Sequence, residues 1–121
     1  MSEKIYDIRE RTFQFSVRTV GLFRSLDLRK AENQIVGRQF LRSTTSVSAM
    51  CEEAGASESA ADFIHKYAIA LKEARESHHW LRLMKASGIC TSTELSEMIQ
   101  ESDEIKKIIA AIIVKLKKKK L

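Results

Sequence analysis

The chain has 121 residues, of which 44% are hydrophobic and 31% charged, a composition that fits one folded domain and argues against a disordered segment. It contains no proline and only four glycines, which argues against a fold with many tight turns and favours a few long helices. The net charge is +5, but residues 1–51 carry +4, residues 52–104 carry −6 and residues 105–121 carry +7; a uniformly basic nucleic-acid binder would not be laid out this way.

A first helix is expected over residues 5–26. Ile8, Phe15, Leu22 and Leu26 recur near helical spacing, with Phe13, Val17 and Val20 on a neighbouring apolar stripe. Gly21 falls inside it at a cost of about 1 kcal/mol relative to Ala, either as a close helix crossing or as a tolerated interior glycine. The polar segment 27–33 is the first connection.

In the second helix, Val36, Phe40, Thr44, Val47, Cys51 and Ala54 step by threes and fours and form a seam facing a partner helix. Gly55 is expected to end it in the left-handed conformation. Ser59, with Asp62 three residues on, has capping-box spacing.

A third helix follows over residues 59–86. Phe63, Tyr67, Ala70, Ala74, Leu81 and Met84 make one stripe, and Ile69, Trp80 and Leu83 a second. Gly88 ends it. Thr91 is expected to cap the fourth helix, with Glu94 in the capping-box position. Ile105, Ile109, Ile112 and Leu116 form the main stripe of that helix, and Ile108, Ala111 and Ile113 broaden it until it is apolar nearly all round.

Four helices with short connections pack best as an all-α antiparallel up-and-down four-helix bundle. Residues 1–121 make a single domain, with a basic C-terminal tail over 115–121. The third and fourth helices carry more apolar surface than one bundle seam requires, which points to a homo-oligomer. Ile69, Glu73, Glu76, Trp80, Ile108 and Ile113 are its expected interface.

The two cysteines, Cys51 and Cys90, make no disulfide framework and are expected as reduced, packed thiols. The N-terminal stretch MSEKIYDIRER is charged from the start. The longest apolar run, 108–114, is seven residues, against roughly 20 needed to span a bilayer. A cytoplasmic protein with no membrane role is expected.

The stretch 37–84 resembles the four-helix-bundle family encoded in intervening sequences of bacterial 23S ribosomal RNA genes, which includes the accessory protein of diversity-generating retroelements. The resemblance rests on Gly37, Gln39, Leu41, Arg42 and Ser43, on Ser46, Val47, Ala49, Glu52, Glu53 and Ala54, and on Ser59, Asp62, Phe63, His65 and Lys66. It continues through the run from Ala70 to Ser77, then Trp80, Leu81 and Leu83. Met50 stands where the family usually has Asn, and His79 where an aromatic is common. The resemblance implies an all-α bundle assembled as a ring-shaped homopentamer. For the retroelement branch it implies a basic surface that binds nucleic acid and a reverse-transcriptase partner.

Catalytic chemistry finds little support. Glu73 and Glu76 share a face with Ile69 and Trp80, and a half-buried carboxylate needs a cation such as Arg42, Lys72 or Arg75. A salt-bridge network explains them better than acid–base work, because no nucleophile or phosphate loop accompanies them. His78 and His79 point about 100° apart on a helix, and no Cys/His set has zinc spacing. Neither a metal nor a cofactor is expected.

Nucleic-acid contact falls to the cations. Arg38 and Arg42 lie one turn apart on the second helix, Arg11 and Arg18 are similarly placed on the first, and Lys115, Lys117, Lys118, Lys119 and Lys120 crowd the end of the fourth. Such stripes can track phosphates of RNA or DNA. The expected function is therefore a non-enzymatic, homo-oligomeric bundle that binds nucleic acid alongside a nucleic-acid-processing protein. The competing expectation is a protein-interaction scaffold whose acidic stretch, residues 94–104, docks a basic partner.

Overall fold

The spacing of the apolar seams is reproduced as four helices. The computed structural model describes residues 3–120, with side-chain surroundings for residues 7–119. The helices are α1 (Glu3–Arg24), α2 (Ala31–Ala54), α3 (Ala60–Ser87) and α4 (Leu95–Lys120). Among the described residues there is no strand. Each helix packs against its neighbours in sequence, α4 returns onto α1, and among the described residues the diagonal pairs have no close backbone approach. Side-chain pairs fix the antiparallel order: Arg9 with Glu52 and Ser16 with Ser48 for α1 and α2, Arg11 with Glu101 and Arg18 with Glu94 for α1 and α4.

The main stripes form the core. Ile8, Phe15, Leu22 and Leu26 are buried, as are Phe40, Val47, Cys51 and Ala54. Tyr67, Ala70, Ala74, Leu81 and Met84 meet them from α3, with Leu95, Met98, Ile105, Ile109 and Ile112 from α4. Burying side chains such as Phe40, Leu81 and Ile109 contributes about 1.5–3 kcal/mol each. The second stripe expected on α1 is different: Phe13 and Val17 are 56% and 53% exposed. They lie on the outer side of α1, where Phe13 lines a shallow groove with Ser48 and Ala49 of α2.

Polar groups inside the bundle are largely satisfied locally. Thr12 and Thr19 donate to the carbonyls of Ile8 and Phe15, one turn back, at 2.8 and 2.9 Å, and Thr44 donates to Ser77 across α2 and α3 at 3.2 Å. Such bonds let a hydroxyl sit in an apolar interior without the cost of an unpaired group.

The helix ends match expectation in part. Ser59 caps α3, its Oγ accepting the Asp62 N–H at 3.1 Å. Gly88 closes α3 at φ 77°, the left-handed conformation that favours glycine. Gly55 is a correction: it ends α2 in the right-handed helical region, at φ −63°. What glycine supplies there is room, because a Cβ would stand 3.0 Å from Arg9 Nη1. Thr91 is a second correction: the Ser92 hydroxyl accepts the Glu94 N–H at 3.2 Å, and α4 starts at Leu95. The first connection is also shorter than expected. Residues 31–33 are helical, and buried Asn33 donates from Nδ2 to the Asp27 carbonyl at 3.0 Å.

Gly21 meets nothing within 4 Å, whereas a Cβ on Gly37 would stand 2.8 Å from Leu26 Cδ1. The close crossing of α1 and α2 is therefore made at Gly37, and Gly21 is the tolerated interior glycine.

Candidate functional site

The densest ionic cluster joins α2 to α3. Arg42 donates from Nη1 to Glu73 Oε2 at 2.9 Å, from Nη2 to Glu76 Oε2, and from Nε to Gln39 Oε1 at 3.1 Å. Trp80 Nε1 donates to the same Glu76 oxygen at 3.0 Å. The Trp80 N–H first, and the Arg42 guanidinium with it, hold the Glu76 carboxyl below the usual carboxylate range against the opposing effect of burial. Of the three cations expected to pair these carboxylates, Arg42 does so directly, while Arg75 is exposed. Both terminal nitrogens of Arg42, expected to track phosphates, are held by carboxylates. Arg38, one turn earlier, is exposed and makes no ion pair with a described residue.

A second ionic seam joins α1 to α4. Arg11 grips Glu101 with two nitrogens, at 2.6 and 3.1 Å, and Arg18 holds Glu94 at 2.9 Å and Glu97 at 3.8 Å. Two expectations are corrected together. Arg11 and Arg18 are interhelix clamps and do not form a free basic stripe. Four acids of the 94–104 stretch, Glu94, Glu97, Glu101 and Asp103, already face cations of their own chain, which leaves Glu104 as the acid of the expected dock without an ion pair among the described residues.

The side chains expected at an oligomer interface divide into two groups. Ile69, Glu73, Glu76 and Trp80 are half-buried and stand together on the α2 side of α3. Ile108 is half-buried on α4, while Ile113 is buried in the core of its own chain, which leaves it little surface to give to a second copy.

At the C-terminus, α4 continues as helix to Lys120. Lys115, Lys117, Lys118 and Lys119 are exposed and make no ion pair with a described residue; the side chain of Lys120 lies outside the described residues. Cations at a helix C-terminus are favoured by the helix dipole.

Sequence reasoning passed over one basic feature. His78, Arg82 and Lys85 of α3 line an open groove with Ala86 and with Ile99 of α4. Burial, followed by the nearby positive charge of Lys106, holds the His78 pKa below its usual value; Arg82 acts in the same direction and Asp103 opposes it. Lys85 Nζ donates to Ser96 Oγ at 2.9 Å. Asp103 is shared by Lys106 at 3.3 Å and Lys107 at 3.0 Å. The signal that could have found this face is the 3, 4, 3 stepping of Arg75, His78, Arg82 and Lys85, which places four basic residues on one side of α3 without an acid among them.

The remaining titratable groups are not gathered into a reactive site. Cys51 is fully buried, and burial pushes its thiol up to about 12, so it is no nucleophile at neutral pH. Tyr67 is fully buried, and its hydroxyl has no partner among the described residues. His79 is exposed and stands edge-on to Trp80 at 5.0 Å. Among the described residues no group of His, Cys, Asp and Glu side chains could hold a metal. The enclosed cavity at mid-bundle, lined by Thr12, Thr44, Ser77 and Ser102 among others, measures about 10 Å³, room for one water at most. Among the described residues no helix is long and apolar enough to cross a membrane.

This architecture has solved and classified relatives. A crystal structure of a protein of unknown function from the S23 ribosomal protein family of Bacteroides thetaiotaomicron is 36% identical. It covers 91% of this chain and 97% of its own, with a TM-score of 0.81. A comparison with curated proteins found no match. The description "23S rRNA-intervening sequence protein" matches residues 4–111, nearly the whole four-helix core. With its seams, caps and interhelix pairs in that frame, the chain belongs to the 23S rRNA-intervening sequence protein family.

Proposed function

We infer that this chain is a non-enzymatic, homo-oligomeric bundle of the cytoplasm that binds RNA or DNA through basic surface residues, alongside a nucleic-acid-processing protein. The observation that carries the reading is the helical lysine end of α4. Residues 1–114 are neutral as a whole, so the net charge sits on the lysines that follow. Of these, Lys115, Lys117, Lys118 and Lys119 are exposed and have no acidic partner among the described residues. Counterion release from phosphates supplies most of the affinity of such a surface, with little sequence preference. Arg38 is the one cation of the expected α2 pair left to join it. A ring of copies, the pentamer that the family resemblance implies, would multiply the lysine ends into a rim. The half-buried Ile69 and Trp80 support assembly, as do the exposed Phe13 and Val17.

Fluorescence anisotropy of a labelled RNA hairpin, titrated with the full chain and with a chain ending at residue 116, tests the binding. Wild type binds at 50 mM salt, with log affinity falling linearly against log salt. The truncated chain binds more weakly and with a shallower slope, by roughly 0.9 for each phosphate it no longer neutralises. No binding by either form at low salt refutes the reading. Size exclusion with light scattering tests the assembly, where a clean 13.8 kDa monomer at micromolar concentration refutes it.

A further inference from the structure

The α3–α4 groove is charged on both walls, and the lysine end of α4 continues one of them. On α3, Arg75, His78, Arg82 and Lys85 occupy one face, and the last three line the groove. Over the ten steps from residue 75 to residue 85 a helix rises about 15 Å. On α4, Ile99, Asp103, Lys106, Ala110 and Lys117 recur in steps of 4, 3, 4 and 7 and share a face. The two walls meet electrostatically at His78, which feels Lys106 and Asp103 from α4 and Arg82 from its own helix.

Apart from Asp103, the acids nearest the groove turn away from it. Glu73 and Glu76 turn toward α2, where Arg42 holds them, and Glu94 and Glu101 turn toward α1. Asp103, the acid on the groove side of α4, is already shared by two lysines. Arg75 and Arg82 are exposed and make no ion pair with a described residue. Beside these cations the lining offers Ile99 and Ala86 and, among the described residues, no Phe, Tyr or Trp side chain, so bases would find no large stacking platform. A surface of this kind suits a run of phosphates rather than base edges.

We propose that the α3–α4 groove, through Arg75, Arg82 and Lys85, is the main track for a nucleic-acid phosphodiester backbone and leads it onto Lys117 and the lysine end of α4. The inference rests on the nucleic-acid reading above and moves its centre from the tail and α2 to the α3–α4 face.

The test uses the full chain and the same labelled RNA hairpin, with anisotropy read at 50, 100 and 200 mM salt. Three proteins are compared: wild type, Arg82→Ala with Lys85→Ala, and Arg24→Ala with Lys30→Ala. All four substituted side chains are exposed, and thermal unfolding confirms that each variant folds. The groove variant is expected to lose about tenfold in affinity at 100 mM salt and to flatten the log–log salt slope by about 2, one unit for each phosphate left without its cation. The control pair, which removes the same charge near the α1–α2 connection, stays within about twofold of wild type. Wild-type affinity and slope in the groove variant, beside a weakened tail truncation, overturn the groove track and leave the binding reading standing. Equal losses in groove and control variants also overturn it, since they indicate diffuse charge attraction. Absence of binding by wild type at 50 mM salt overturns both.

Discussion

Arg11 on α1 and Glu101 on α4 form a two-pronged pair, with Nη2 2.6 Å from Oε1 and Nε 3.1 Å from Oε2. Both side chains are about three-tenths exposed. Hydrogen bonding to Glu101 raises the Arg11 pKa above its already high ordinary value, against some desolvation. The pair closes the ring of helices where the first and last elements of the chain meet. Surface ion pairs contribute little unless their geometry is fixed, as it is in a bidentate arginine pair. Glu101→Ala is expected to destabilise the chain by about 1 kcal/mol, a fall of about 4 °C in the unfolding midpoint for a domain of this size. The gap between variant and wild type narrows at 0.5 M salt. Identical melting curves at low salt would show that the pair does not hold this seam.

Gly21 and Gly37 carry opposite expectations although both lie inside helices. Gly21 faces open space, so Gly21→Ala gains helix propensity with nothing to clash and raises stability by about 1 kcal/mol. At Gly37 the new Cβ would stand 2.8 Å from Leu26 Cδ1 and 3.3 Å from Phe23. Overpacking costs about 1–3 kcal/mol and outweighs the propensity gain. Denaturant unfolding of the two variants gives shifts of opposite sign; a stabilised Gly37→Ala would mean that Leu26 moves aside freely.

The seams that build the bundle are readable in the sequence because burial imposes helical period on them. Phe40, Val47, Cys51 and Ala54 declare one side of α2 by their spacing alone, and Ser59 with Asp62 declares a cap. Periodicity does not say which of two apolar stripes turns inward, so Phe13 and Val17 group with buried residues in sequence although they face outward. Nor does spacing say whether a cation meets an acid of another helix. Arg11 and Arg18 look free in sequence because Glu101 and Glu94 lie 90 and 76 residues away along the chain. The groove of Arg82 and Lys85 is half-legible for the converse reason: the 3, 4, 3 stepping gathers its cations on one face, but that they stand free shows only once Glu73 and Glu76 are seen to turn toward α2.

Cys51 and Tyr67 predict how the fold responds to alkali. Burial raises the Cys51 thiol to about 12 and pushes the Tyr67 phenol up as well. Both groups are neutral in the folded chain and ionise more readily when it unfolds. For a folded pKa raised above the unfolded value, the stability is fully present below the unfolded pKa and is lost as pH rises. Stability is therefore expected to fall from about pH 9, the region of a free thiol, towards pH 12. Cys51→Ala flattens the first part of that fall, whatever it does to stability at neutral pH. An unchanged slope between pH 9 and 10.5 in the variant would remove Cys51 as its source.

Trp80 is the only tryptophan of the chain, and its N–H rests on the Glu76 carboxylate, so its fluorescence reports that group's charge. The Glu76 pKa is lowered, by the Trp80 hydrogen bond first and by Arg42 with it. A lowered carboxyl pKa contributes stability that is present above the unfolded value and is lost as pH falls through the folded one. Emission is expected to stay constant down to pH 4.5 and to change below it as Glu76 protonates and Arg42 loses one of its two carboxylate partners. Arg42→Ala moves that transition to higher pH, because only the Trp80 bond and the charge of Lys72 then favour the charged form. Glu76→Gln abolishes it while leaving a hydrogen-bond acceptor for Trp80. A transition that survives in Glu76→Gln would assign the emission change to a group other than Glu76.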